Sequence, residues 1–112
     1  AASVAEGFGC TAEIVYERRY PSTLNTPENA ALVRKVAAAG GLSVVDAPPS
    51  MAAEDFAFML NELPGCYFWM GAGREAGDNP GLHSPRFDFN DALIPLAVGF
   101  WLDLAAAELR AP

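Results

Sequence analysis

His83 is the one histidine of the chain, and it lies in Gly81-Leu82-His83-Ser84-Pro85-Arg86-Phe87-Asp88-Phe89-Asn90-Asp91, a loop punctuated by glycine and proline just before a long apolar stretch. A neutral imidazole at the end of a scaffold element is a suitable donor for a divalent cation. One donor does not make a metal site, and no HxxxH, HxE or cysteine cluster within the chain supplies companions. On a bare count, a lone loop histidine is more often a hydrogen-bonded surface residue than a ligand. Ser84, Asp88 and Asp91 stand close enough in sequence to hold the ring by hydrogen bonds, the usual way an imidazole is aimed at a metal.

Glu54 and Asp55 form a second candidate. At the start of an apolar helical pattern, carboxylates accept orphan amide hydrogens and complement the positive helix end, which alone accounts for both. A functional reading has one of them orient a substrate or a ligand. Gly71-Ala72-Gly73 with Gly77 has the wrong spacing for a phosphate loop, and Asp78-Asn79-Pro80 follows where a helix would have to begin. No GxSxG elbow is present, and neither Cys10 nor Cys66 has a histidine at a recognisable spacing, so nucleophilic catalysis has no support.

The elements that position these residues read as alternating strands and helices. Thr11 to Tyr20 alternates as a half-exposed strand and ends at Pro21. Thr26-Pro27-Glu28 is a strong helix start, with a capping hydroxyl and proline in the first turn, predicting a helix over 27 to 39 that Gly40-Gly41 stops. Leu42 to Val45 reads as a short strand, Ala52 to Leu63 as a helix, and Cys66 to Met70 as a central strand covered on both faces. Gly71 to Asp88 is a long loop, and the last helix starts near Asp91 because Pro95 is comfortable only in a first turn. Leu93, Leu96, Ala97, Phe100, Trp101, Leu104 and Leu109 are its expected buried face. The fold class expected is therefore α/β, a layered sheet with helices, and a boundary is placed around Pro21 to Asn25, where a proline-containing connection follows the first strand.

The chain's 112 residues, 52% apolar and 11% aromatic, can fill one core. Fourteen acidic against seven basic residues give a net charge of -7 with no basic stripe, which argues against nucleic acid. The longest apolar run, Ala92 to Leu102, falls short of the ~20 residues of a membrane span. The two cysteines lack CxxC spacing and read as buried thiols in a reducing compartment, so a cytoplasmic protein is expected, although a single bridge stays open. The opening Ala-Ala-Ser-Val-Ala reads as the tail of a helix entered from upstream.

Three separated motifs then carry a resemblance. Tyr20-Pro21-Ser22-Thr23-Leu24-Asn25, Met51-Ala52-Ala53-Glu54-Asp55-Phe56-Ala57, and Leu82-His83-Ser84-Pro85 with Phe87-Asp88-Phe89-Asn90-Asp91 resemble, in order and spacing, the carboxy-terminal part of the metal-dependent amidohydrolases and peptidases that include hippurate hydrolase, aminoacylase-like enzymes and indoleacetyl-amino acid hydrolases. The resemblance covers nearly the whole chain. It implies that residues 1–21 end a ferredoxin-like lid, contributing its last helix and strand and dimerising the enzyme. Residues 22–112 would be the returning half of a split catalytic domain.

The resemblance also implies that His83 ligates one of two divalent metal ions, zinc or manganese, while the other ligands and a catalytic glutamate come from sequence outside this chain. Glu54 and Asp55 match an acidic pair near the substrate. Ala53 and Ala52 replace a serine and a frequent glycine of that motif, which removes any hydroxyl contact there. The activity implied is hydrolysis of the amide of an N-acyl amino acid or small peptide by a metal-activated water, in a homodimer. A non-catalytic α/β binding or regulatory module is the alternative.

Overall fold

The computed structural model describes residues 1–74 and 76–110. Four helices are formed: α1 (Ala2–Gly7), α2 (Pro27–Ala39), α3 (Phe56–Glu62) and α4 (Leu93–Glu108). α2 has the bounds its sequence predicts, with Pro27 in the first turn and Glu28 beside the positive end. It closes in a Schellman motif at Gly41, whose φ of 75° is open to glycine at no steric cost; Leu42 N–H donates to Ala37 O (2.9 Å) and Gly41 N–H to Ala38 O (3.1 Å). α1 stops in the same way at Gly9, with Cys10 N–H on Ala5 O at 2.9 Å.

The expected α/β sheet is not formed: among the described residues there is no strand. A strand is defined by a ladder to a second backbone, and the three stretches with strand-like patterns do not meet one another. Residues 11–20 are exposed throughout, and 42–45 have only Leu42 half-buried. Cys66 to Met70 comes nearest to the expectation. The Asn25 side chain brackets the backbone of Tyr67, its Oδ1 accepting from Tyr67 N–H (2.7 Å) and its Nδ2 donating to Tyr67 O (2.8 Å). That carboxamide supplies the pair of bonds a neighbouring strand would give. Thr26 N–H donates to Gly65 O at 3.0 Å and continues the register by one rung. The Thr26 hydroxyl, expected to cap α2, instead faces Gly65 O and Asn29 Oδ1 (2.6 Å).

Side chains along this segment still alternate. Tyr67 meets Phe56 of α3 at 5.8 Å between ring centroids, whereas Phe68 meets Phe100 (5.3 Å) and Trp101 (5.4 Å) of α4. α2 packs on α4, burying Val36 and Phe100. Residues 1–21 reach the rest through Tyr20 against Phe58, 5.7 Å between centroids.

Two more expectations change. α3 begins at Phe56, not Ala52; just before it the Glu54 carboxylate accepts from the Phe56 amide (3.3 Å) in a local turn. α4 is not enclosed: of its expected apolar face only Phe100 is buried, and Leu96, Trp101 and Leu109 are exposed. Neither cysteine is fully buried; Cys10 is exposed, Cys66 half-buried, and both are free thiols. Among the described residues no helix is long and apolar enough to cross a membrane.

The shape gives the reason for this exposure. The chain spreads over 63 × 43 × 19 Å with a radius of gyration of 20.0 Å, against about 13 Å for a compact domain of this length. Its accessible surface is 9459 Å², where a folded monomer of its mass would show about 5,900 Å². At 19 Å the slab is less than two helix diameters thick, so α4 and Cys66 to Met70 lie at a surface. An open apolar groove of ≈ 260 Å³ between them is lined by Leu32, Val33, Cys66, Phe68, Trp101 and Leu104. Taken alone, this chain should therefore self-associate. Light scattering should give a mass that climbs with concentration, and climbs further when salt screens the acidic surface; an invariant monomer mass would contradict this account.

Candidate functional site

His83 occupies the third position of a β-turn, Gly81-Leu82-His83-Ser84, closed by Ser84 N–H on Gly81 O at 3.2 Å. Its φ is 68°, the left-handed region, and it is the only non-glycine residue described with a positive φ. Among turn types, this pattern normally asks for glycine or asparagine at that position. A histidine held there is an observed departure from backbone preference, the kind that clusters at ligand-binding sites. The residue is exposed.

The neighbours do not hold the ring as expected; they hold the loop. Ser84 Oγ accepts from Arg86 N–H (3.2 Å), and Ser84 O accepts from Phe87 N–H (3.0 Å). The Asp88 carboxylate is taken by Arg74, 2.7 Å away. Asp91 serves the start of α4, its carbonyl accepting from Ile94 N–H at 3.1 Å. Arg86 is paired with Asp78. Nothing in spacing alone pairs residue 74 with residue 88 or residue 78 with residue 86.

Glu54 and Asp55 stand at the start of α3; neither makes a side-chain cap bond to it, and the Glu54 carboxylate accepts from the Phe56 amide two residues on (3.3 Å). Glu54 has a further partner in Tyr67, a residue of the Cys66 to Met70 run expected to be a central strand. Hydrogen bonding from Tyr67 is the main cause that holds the Glu54 carboxyl below the usual glutamate range, and bonds from Asp55 and Phe56 add to it. The same bond pushes the Tyr67 hydroxyl up. Glu54 thus stays an anion to lower pH than a free glutamate. Asp55 is exposed beside it. Burial pushes the Cys66 thiol up and outweighs the Arg34 guanidinium, so Cys66 is a poor nucleophile.

Among the described residues, no three His, Cys, Asp or Glu side chains gather as a group able to hold a metal ion. His83 and the Glu54–Asp55 pair are therefore not brought into one cluster. As an exposed imidazole, His83 is available as a single donor.

Residues 3–107 match the sequence profile of peptidase family M20/M25/M40. The chain belongs to that family. It is 35% identical over 101 residues to an N-acetyldiaminopimelate deacetylase of Streptococcus suis (strain 05ZYH33), an alignment that covers 88% of this chain and 26% of the relative. It is 36% identical over 86 residues to the putative amidohydrolase YhaA of Bacillus subtilis (strain 168), covering 74% of this chain and 22% of the relative. A probable hydrolase of Synechocystis sp. (strain ATCC 27184 / PCC 6803 / Kazusa), sll0100, is 38% identical over 99 residues, 83% of this chain and 25% of that protein. The M20/M25/M40 chain thus spans about a quarter of the length of these curated relatives. No solved structure matches.

The lowered Glu54 carboxyl has a measurable consequence. A depressed carboxylate contributes stability that is present above its unfolded pKa and is lost as pH falls through the folded one. Tyr67→Phe should raise the Glu54 midpoint toward the ordinary glutamate value, read by carboxyl ¹³C NMR, and shrink the part of the stability that is lost as pH falls below the unfolded glutamate value. An unchanged midpoint would show that Tyr67 is not the cause.

Proposed function

We propose that the protein to which this chain belongs is a metal-dependent amidohydrolase that removes the acyl group from an N-acyl amino acid or small peptide, with His83 as one ligand of a pair of divalent ions, zinc or manganese. The observation that carries this reading is His83 itself, an exposed imidazole presented by a left-handed turn. The relatives support the substrate class, since an N-acetyldiaminopimelate deacetylase cleaves the amide of an N-acyl amino acid.

A divalent pair supplies Lewis acidity for the amide carbonyl and lowers the pKa of the attacking water. Within this chain His83 contributes a neutral nitrogen lone pair and takes no proton from the water. Glu54, whose carboxyl is held low chiefly by Tyr67, and Asp55 provide negative charge at the start of α3, where they orient polar groups of the substrate. Residues 1–21 belong to a lid through which two subunits pair, and residues 22–112 to the catalytic domain. Tyr20 on Phe58 joins the two parts. Two free thiols fit a reducing, cytoplasmic setting.

His83→Ala in the full-length enzyme tests the reading. Loss of a donor should weaken metal binding by at least the ~10-fold that removal of even an outer-shell partner produces, and lower N-acyl amino acid hydrolysis with it. Full metal occupancy by elemental analysis, together with undiminished turnover, would refute it.

A further inference from the structure

The loop that carries His83 is closed by nested links. The turn bond between Gly81 and Ser84 is innermost, the Asp78–Arg86 ion pair surrounds it, and Arg74 on Asp88 and Phe89 is outermost. We infer that Arg74, seconded by Arg86, is a positioning residue that holds His83 in its left-handed backbone and thereby sets how tightly it binds a divalent cation. The inference rests on the reading of His83 as a ligand.

Arg74 is tied at both ends. At its backbone, Asn79 Oδ1 accepts from Arg74 N–H (2.8 Å) and Asn79 Nδ2 donates to Arg74 O (3.0 Å). At its guanidinium, Nη2 donates to Asp88 Oδ2 (2.7 Å) and to Phe89 O (3.0 Å), and Nη1 donates to Asp88 O (3.3 Å). A planar fork that engages three acceptors specifies geometry in a way a lysine point charge cannot. The residues it grips lead directly into α4, since Leu93 N–H donates to Asn90 O at 2.9 Å. The fork therefore fastens the rim of the loop to the last helix.

These links are surface features. The Arg86 and Asp78 side chains are 72% and 65% exposed, and pairs of that kind add little to global stability. What they constrain is pose. His83 is held in a backbone region that L residues rarely visit, by one turn bond at 3.2 Å. Without the outer links the turn is free to relax toward negative φ, which swings the imidazole away from its aim. Arg74, 37% exposed and with three acceptors, is the stronger of the two arginines.

The test is a double-mutant cycle on metal affinity in the metal-stripped full-length enzyme, titrated with cobalt(II) and followed by its absorption spectrum. Arg74→Gln should weaken cobalt binding by about 10- to 100-fold, the scale seen when a residue that orients a ligand is removed. In a His83→Ala background the same change should cost nothing further, because there is no ring left to aim. Unchanged affinity in Arg74→Gln, or an equal loss in both backgrounds, overturns the inference and leaves the ligand reading standing. Where circular dichroism shows Arg74→Gln unfolded, Arg86→Gln takes its place in the cycle with the same two outcomes. If His83→Ala alone leaves cobalt affinity unchanged, the ligand reading falls, and the positioning role with it.

Discussion

The reciprocal bond between the Asn25 carboxamide and the Tyr67 backbone is the constraint on which the arrangement depends. It joins the residue just before α2 to a segment 42 positions later and fixes the direction in which that segment runs. Tyr67 is then turned toward Phe56 and Glu54, and Phe68 toward Phe100 and Trp101. Three helices are oriented by one extended stretch whose own backbone is satisfied by a side chain. Backbone amides must be paired or wetted, and a carboxamide can donate and accept in the same plane.

The consequence is an open architecture. The aromatic contacts among Phe68, Phe100 and Trp101 make a local cluster, but only Phe100 of the three is buried in a slab 19 Å thick. The excess accessible surface and the groove beside Cys66 describe one physical fact, that the apolar content of the chain exceeds what it can bury against itself. The His83 loop solves a different problem. It has little apolar material, and it is organised by arginine forks, an asparagine bracket and tight turns, so its order comes from directional polar bonds where packing is unavailable to it.

These two modes meet at the edges of the helices. Glu54 stands at the start of α3 and Asp88–Asn90 leads into α4, so each functional candidate is attached to the end of a rigid element and not to its middle. For His83 that attachment runs through Arg74, and for Glu54 it runs through Tyr67. In both cases the residue that sets the candidate's state is remote in sequence, 9 positions away from His83 and 13 from Glu54.

Much was legible in the sequence because it is encoded locally. The bounds of α2 follow from Pro27 and Gly41, the placement of Pro95 in the first turn of α4 from its missing amide, and the family from three short motifs. The sheet was misread for a reason equally physical: alternation along Thr11 to Tyr20 and the apolar run Cys66 to Met70 report a preference for extended backbone, whereas a strand exists only where a second backbone offers its donors and acceptors. The start of α3 falls at Phe56, whose amide donates to the Glu54 carboxylate. The nested pairing of Arg74 with Asp88 and Arg86 with Asp78, the left-handed φ of His83 and the partnership of Tyr67 with Glu54 were decided only by tertiary structure, since directional bonds between distant residues depend on where the chain returns, and no local propensity records that.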